Sequence, residues 1–218
     1  MQAAHPFSPI ELLRSVEGRF VLSGLRWGDY QALLEARGEK SWPRIIYLDG
    51  EIELMAQSGN HEWFKKTIAR FVEAYAEERD LPLNGIGSWT LKRRAKQAGA
   101  EPDECYSLGP VGQAVRRAAG ANMTFGSMPQ LAIEVAWSRG ALDKLEVYRR
   151  LGVGEVWIFR KGKLDVHLLR SGRYVRAARS ALLPELDLER LVSFIDVNDQ
   201  TRAVKRWRAS LRRRRAVK

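Results

Sequence analysis

Apolar positions along the chain follow two different spacings, broken by glycines and charged turns. Phe20 to Ser23 reads as a short strand. Ile45 to Leu48 and Glu51 to Met55 read as two more, and the Asp49-Gly50 dipeptide between them favours a tight hairpin. Trp27 to Ala36 has a helical spacing, with Tyr30, Leu33 and Leu34 on one side. Beyond Asn60, placed as a cap, Phe64, Ile68, Phe71, Val72 and Tyr75 keep the 3.6-residue period of a long helix. Strands are expected near Leu81 to Lys92 and around Asp103, and the Gly-rich stretch from Ser107 to Met128 is expected to be loop. Leu131 to Trp137 is nearly all apolar, the pattern of a strand buried on both faces. A helix over Ala141 to Leu151 follows, ended by Gly152-Val153-Gly154 before a second buried strand, Glu155 to Phe159. A hairpin of Leu164 to Leu169 and Arg173 to Arg176 turns at Ser171-Gly172, and a helix over Leu186 to Phe194 closes the body. The order of elements is mixed α/β, with a strand–helix–strand unit late in the chain.

Composition narrows the class. With 218 residues, 45% hydrophobic and 29% charged, the chain suits one folded domain rather than a disordered segment. No apolar run approaches the roughly 20 residues that span a bilayer, and the N-terminus carries no signal-peptide core. A cytoplasmic protein with no membrane partner is expected. One cysteine, Cys105, excludes an intrachain disulfide framework and a Cys-rich zinc site.

Charge adds a partner class. The net charge is +11, and most of it falls in residues 201–218, which hold nine basic side chains and no acidic one. This divides the chain into a body over 1–200 and a basic tail over 201–218. The tail, with Arg212, Arg213, Arg214 and Arg215, reads either as a solvated terminus or as a phosphate-binding arm that adds affinity without sequence information. Lys92, Arg93, Arg94 and Lys96 form a second basic cluster. A polyanion fits this distribution.

Three residues carry the candidate chemistry. Glu134 lies in LAIEVAW, where a carboxylate is costly unless paired or bound to a metal. Period 2 puts Ala132, Glu134 and Ala136 on one face, with small neighbours leaving space around the carboxylate. The alternative is a strand-end acid that reaches water or an arginine. Lys144 falls in the apolar sector of its helix with Leu145, Val147, Tyr148 and Leu151, aimed toward the end of the preceding strand. The alternative there is a snorkelling lysine. Asp103 follows Pro102 in EPDECY, a pair that elsewhere often marks only a turn. Taken in order, two acids and a lysine suit Mg²⁺ held by Asp103 and Glu134, and an ammonium facing the charge of phosphoryl transfer.

The segments YLDGEIELMAQSGNHE, EPDECY, LAIEVAW and DKLEVYRRLGVGEVWIF resemble the Uma2-type endonucleases of bacteria, a branch of the PD-(D/E)XK superfamily. The resemblance covers about residues 20 to 195. It implies a restriction-endonuclease-like core, a mixed β-sheet flanked by helices, with Mg²⁺ as cofactor and Mn²⁺ as a substitute. Asp103 matches the acid of the PD motif and Glu134 the second acid. Ala136 stands where the superfamily usually has its lysine, and Lys144 matches the family's lysine moved onto the next helix. The linker AWSRGAL is shorter than in many members. Glu51 and His61 also sit at family-like positions. Glu51 is a candidate metal ligand or water-orienting group, or an exposed hairpin acid, and His61 a capping or phosphate-contacting residue.

The leading expectation is a Mg²⁺-dependent endonuclease acting on double-stranded DNA, with a homodimer as the arrangement such folds often use. Against it stands a catalytically silent nucleic-acid-binding or regulatory protein of a mobile-element or toxin-like locus. The intact Asp103–Glu134–Lys144 set favours the enzyme.

Overall fold

The computed structural model describes residues 18–109, 128–136 and 142–216. Two sheets form, and the pattern of apolar faces explains how they stack. The smaller is antiparallel, in the order β1 (Gly18–Leu22), β3 (Glu51–Ala56), β2 (Arg44–Leu48), β6 (Ala98–Ala100) and β5 (Leu91–Arg93). The larger has six strands in the order β11 (Arg173–Ala177), β10 (Lys163–Arg170), β9 (Glu155–Arg160), β8 (Leu131–Val135), β7 (Glu104–Leu108) and β4 (Leu83–Gly85). Among the described residues its one parallel pair is β8 with β9, joined across α3 (Lys144–Leu151), so the expected strand–helix–strand unit is present. Gly152 supplies the left-handed cap that ends α3, at φ 82°, a conformation costly for a side chain.

Alternation along β8 sorts residues between two cores. Leu131, Ile133 and Val135 pack with Phe64, Ile68 and Phe71 of α2 (Gly59–Glu78). Ala132 faces the other way, into a cluster with Val147, Tyr148 and Leu151 of α3 and with Ile46, Leu91 and Ala98 of the small sheet. Helix α3 is thus sandwiched between the two sheets, and Glu134 shares the Ala132 face. On the outer side of the small sheet, Ile45, Tyr47 and Ile52 pack against Trp27 and Tyr30 of α1 (Trp27–Arg37).

Several boundaries differ from the sequence expectation for local reasons. Ser58, not Asn60, caps α2, its Oγ accepting the His61 N–H. The Leu81 to Lys92 stretch splits into β4 and β5, one in each sheet. Helix α3 starts at Lys144 rather than Ala141, because Asp143 is the cap, its carboxylate accepting the Leu145 and Glu146 N–H groups. The last body helix shortens to α4 (Leu188–Ser193). Most of the stretch expected as loop, 110–127, lies outside the described residues, as does Trp137.

The division at residue 200 is where the structure departs most from expectation. Residues Gln200–Ala216 form α5, which packs along α2. Ala203, Trp207 and Leu211 are buried in the core under the large sheet, and the Trp207 indole N–H donates to the Phe71 carbonyl at 3.0 Å. On the flank of α5, Arg208 and Arg212 both bond Glu78. The Arg212 hydrogen bond, with help from Arg208 and against the cost of burial, holds the Glu78 carboxyl down at about 2. A stretch of sequence that looks like a basic tail is therefore an amphipathic helix whose apolar residues belong to the domain. Trp207→Ala is expected to cost about 3–5 kcal/mol of stability in urea unfolding, and truncation after Asp199 to unfold the domain. A truncated protein with the full protein's unfolding midpoint would contradict this.

Candidate active site

The site forms where the ends of β7 and β8 meet the N-termini of α2 and α3. Strands β7 and β8 are antiparallel with Glu104 opposite Ile133 and Cys105 opposite Ala132, a register that puts Asp103 opposite Glu134. Both acids are buried, Asp103 at 1% and Glu134 at 2% exposure. Neither remains unpaired, as burial of charge requires.

Asp103 is held by four groups from three parts of the chain. Its Oδ2 accepts the Val135 N–H at 2.7 Å. Its Oδ1 accepts from the Gln57 amide at 2.7 Å and lies 2.8 Å from His61 Nε2. The Arg44 guanidinium stands 3.6 Å away. Burial pushes the Asp103 carboxyl up, but His61, by hydrogen bond and charge, with Arg44 and Lys144, outweighs it and holds the group well below the ordinary carboxylate range. Arg44 also clamps the backbone just before Asp103, donating to the Glu101 carbonyl at 3.0 Å and the Pro102 carbonyl at 2.5 Å. Its Nε donates to Gln57 Oε1 at 2.9 Å, so two of the four groups that steady Asp103 also steady each other.

Glu134 is held from α3. Lys144 Nζ donates to Glu134 Oε2 at 2.5 Å, and the Tyr148 hydroxyl donates to Oε1. The i,i+4 spacing puts both donors on one face of the helix, each serving one oxygen of the same carboxylate. Burial alone would lower the Lys144 ammonium, yet the charges of Glu134 and Asp103 raise it above its ordinary value and keep it protonated. Burial, then the Glu134 charge, pushes the Tyr148 phenol far up, so it stays a donor. Lys144 is the least buried of the group, its side chain 17% exposed.

Asp103, Glu134, Lys144 and His61 thus converge on one site. Glu51 does not join them: it is exposed at the turn end of β3 and pairs across the sheet with Leu48. Lys92, Arg93 and Arg94 are also exposed, with the Arg93 guanidinium beside Gly152 at the far end of α3, about 12 Å of helix from Lys144. Arg212 is engaged by Glu78, Arg213 is exposed, and the side chains of Arg214 and Arg215 lie outside the described residues. Arg44, Gln57 and Tyr148 belong to the site without having been candidates on sequence grounds. Only Tyr148 had a usable signal, its place one turn beyond Lys144.

Among the described residues no group of three or more His, Cys, Asp and Glu side chains is placed to hold a metal ion. The donor set still suits a hard, partly hydrated cation, since carboxylate oxygens have lone pairs beyond the single donor that each Glu134 oxygen accepts. Tyr148→Phe removes one of those two donors inside the core. It is expected to destabilise the protein by about 1–3 kcal/mol in chemical denaturation while the fold is kept. A change within about 0.5 kcal/mol would show that Glu134 does not depend on the phenol.

No functionally curated protein matches the chain. A crystal structure from Anabaena variabilis, described as a "putative nuclease belonging to DUF820", aligns at TM-score 0.48 and 10% identity. The alignment covers 80% of this chain and 96% of that one. The family model Uma2, described as "Putative restriction endonuclease", matches residues 27–198, a span that contains Asp103, Glu134 and Lys144. The chain, mixed α/β with two sheets flanked by five helices among its described residues, belongs to the Uma2 family.

Proposed function

We propose that the protein is a divalent-cation-dependent nuclease that hydrolyses phosphodiester bonds, with double-stranded DNA as its substrate. The observation that supports this most is the contact of Lys144 with Glu134, made opposite an Asp103 kept ionised by its surroundings. Paired carboxylates beside a protonated lysine have the chemistry that phosphoryl transfer needs, namely a seat for a cation and a positive group facing developing charge.

In the proposed reaction water adds to phosphorus, the bond to the leaving ester oxygen breaks, the water loses a proton and the leaving oxygen gains one. Asp103 and Glu134 would hold Mg²⁺, or Mn²⁺ in its place, which supplies a more acidic bound water and offsets phosphate charge. Val135 N–H, Gln57 and His61 keep Asp103 aimed and unprotonated, so its oxygens need little reorganisation when charge arrives. Tyr148 fixes one oxygen of Glu134 and leaves Lys144, on the other, as the more exposed donor. Lys144 can then turn from Glu134 to a phosphate oxygen or to the attacking water as charge builds. His61 acts here by holding Asp103 rather than by capping α2 with its ring.

Nucleic-acid contact falls to exposed basic groups. Lys92, Arg93 and Arg94 serve the body, while on α5 Arg202, Lys205 and Arg213 are exposed and Arg208 and Arg212 are occupied by Glu77 and Glu78. Fewer basic groups are therefore open to phosphate than the sequence count suggests. Among the described residues no helix is long and apolar enough to cross a membrane. A homodimer, with one site for each strand, and a cytoplasmic location complete the proposal.

The test is cleavage of supercoiled plasmid by the purified protein with Mg²⁺, against an EDTA control. Lys144→Ala is expected to lower the cleavage rate by ~10²–10³-fold with DNA affinity retained. A parental rate in Lys144→Ala, or cleavage that persists in EDTA, would overturn the assignment.

A further inference from the structure

Beyond Asp103 and Glu134, a further buried acid stands close to this site. Glu53 lies mid-strand in β3 and is fully buried. Its register partner is Ile46, and directly paired residues share a face of the sheet. Ile46 packs into the cluster that contains Val147, Tyr148 and Leu151 of α3, so the Glu53 side chain points toward α3 and the large sheet. There Glu53 Oε2 accepts the Leu142 N–H at 2.9 Å. Leu142 lies two residues before Lys144 and just ahead of the Asp143 cap. Glu53 Oε1 has no hydrogen-bond donor among the described residues, but Arg19 Nη1 lies 3.4 Å from it. Arg19 comes from β1, on the same side of the small sheet, and its charge reaches Lys144.

A carboxylate in the middle of a buried strand is expensive, and an apolar residue would fill the same place at less cost. Glu53 does one thing an apolar residue cannot. It takes a backbone N–H that precedes the first turn of α3 and would otherwise lie buried without a partner. The hydrogen bond ties the small sheet to the residue pair that sets where Lys144 starts.

We infer that Glu53 is a positioning residue, a tether that fixes the entry of α3 and so seats the Lys144 ammonium over Glu134. Its part in the reaction rests on the nuclease reading above, whereas the tether itself does not. Lys144 is the first residue of its helix, and a shift of the entry by about 1 Å would move the ammonium as far, an error that can cost ~10²-fold in rate.

Two mild substitutions separate the hydrogen bond from the charge. Glu53→Gln keeps an acceptor at the same reach and loses the charge. Glu53→Asp keeps the charge and falls one carbon–carbon bond short of Leu142. Amide hydrogen exchange at Leu142, without substrate, and steady-state plasmid cleavage are read in both. The tether predicts faster Leu142 exchange in Glu53→Asp, with kcat lowered about 10–10²-fold at unchanged KM. It predicts parental exchange, and kcat within a few-fold of parental, in Glu53→Gln. Unchanged Leu142 exchange in Glu53→Asp overturns the inference. So does a Glu53→Gln protein that loses kcat as Glu53→Asp does, or a Glu53→Asp protein with faster exchange and parental kcat. Absence of cleavage by the parental protein would count against the nuclease reading alone, and the exchange measurements would still decide the tether.

Discussion

Asp103 and Glu134 are carboxylates buried side by side at the ends of neighbouring strands, and their charge must be answered locally. Desolvating an ion costs several kcal/mol even after relaxation, so each needs donors in place before it is stable. Four elements converge to supply them. Strand β2 brings Arg44, the start of α2 brings His61 with Gln57 just ahead of it, β8 brings its own Val135 N–H, and α3 brings Lys144 and Tyr148. The placing of α3 between the two sheets follows the same logic, because only that face of β8 carries small residues and the acid.

This constraint shows why parts of the site were legible in the sequence. Glu134 stood out because an ionised side chain interrupts an apolar run, and period 2 then gave its face. Lys144 stood out because a charged residue fell in an apolar helical sector. Tyr148 lies on that same sector but its ring looks like core, and only its hydroxyl contact to Glu134 distinguishes it. Arg44 precedes the apolar run of β2 with no local pattern to set it apart, although it is 2% exposed and bonds two backbone carbonyls. Glu51 and Glu53 differ by one step of the strand period, and the Asp49-Gly50 turn fixes their pairing. Which face of that hairpin meets α3 depends on the second sheet, and no local pattern encodes it.

The basic C-terminus teaches the complementary lesson. Nine charges in residues 201–218 hide an apolar stripe of Ala203, Trp207 and Leu211 at helical spacing. Composition averaged over the segment reports solvent, while periodicity within it reports a helix. Part of the charge is then spent inside the fold, on Glu77 and Glu78 of α2, before any partner is met. Charge totals therefore overstate what this surface offers a polyanion.

In the proposed nuclease, Asp103 and Glu134 together seat one divalent cation. Electron paramagnetic resonance of Mn²⁺ titrated into the protein tests it without reference to any substrate. One bound Mn²⁺ per chain is expected in the parental protein, competed by Mg²⁺, and lost in both Asp103→Asn and Glu134→Gln while the fold persists. Undiminished Mn²⁺ binding in either folded variant, or no bound ion in the parental protein, would contradict it.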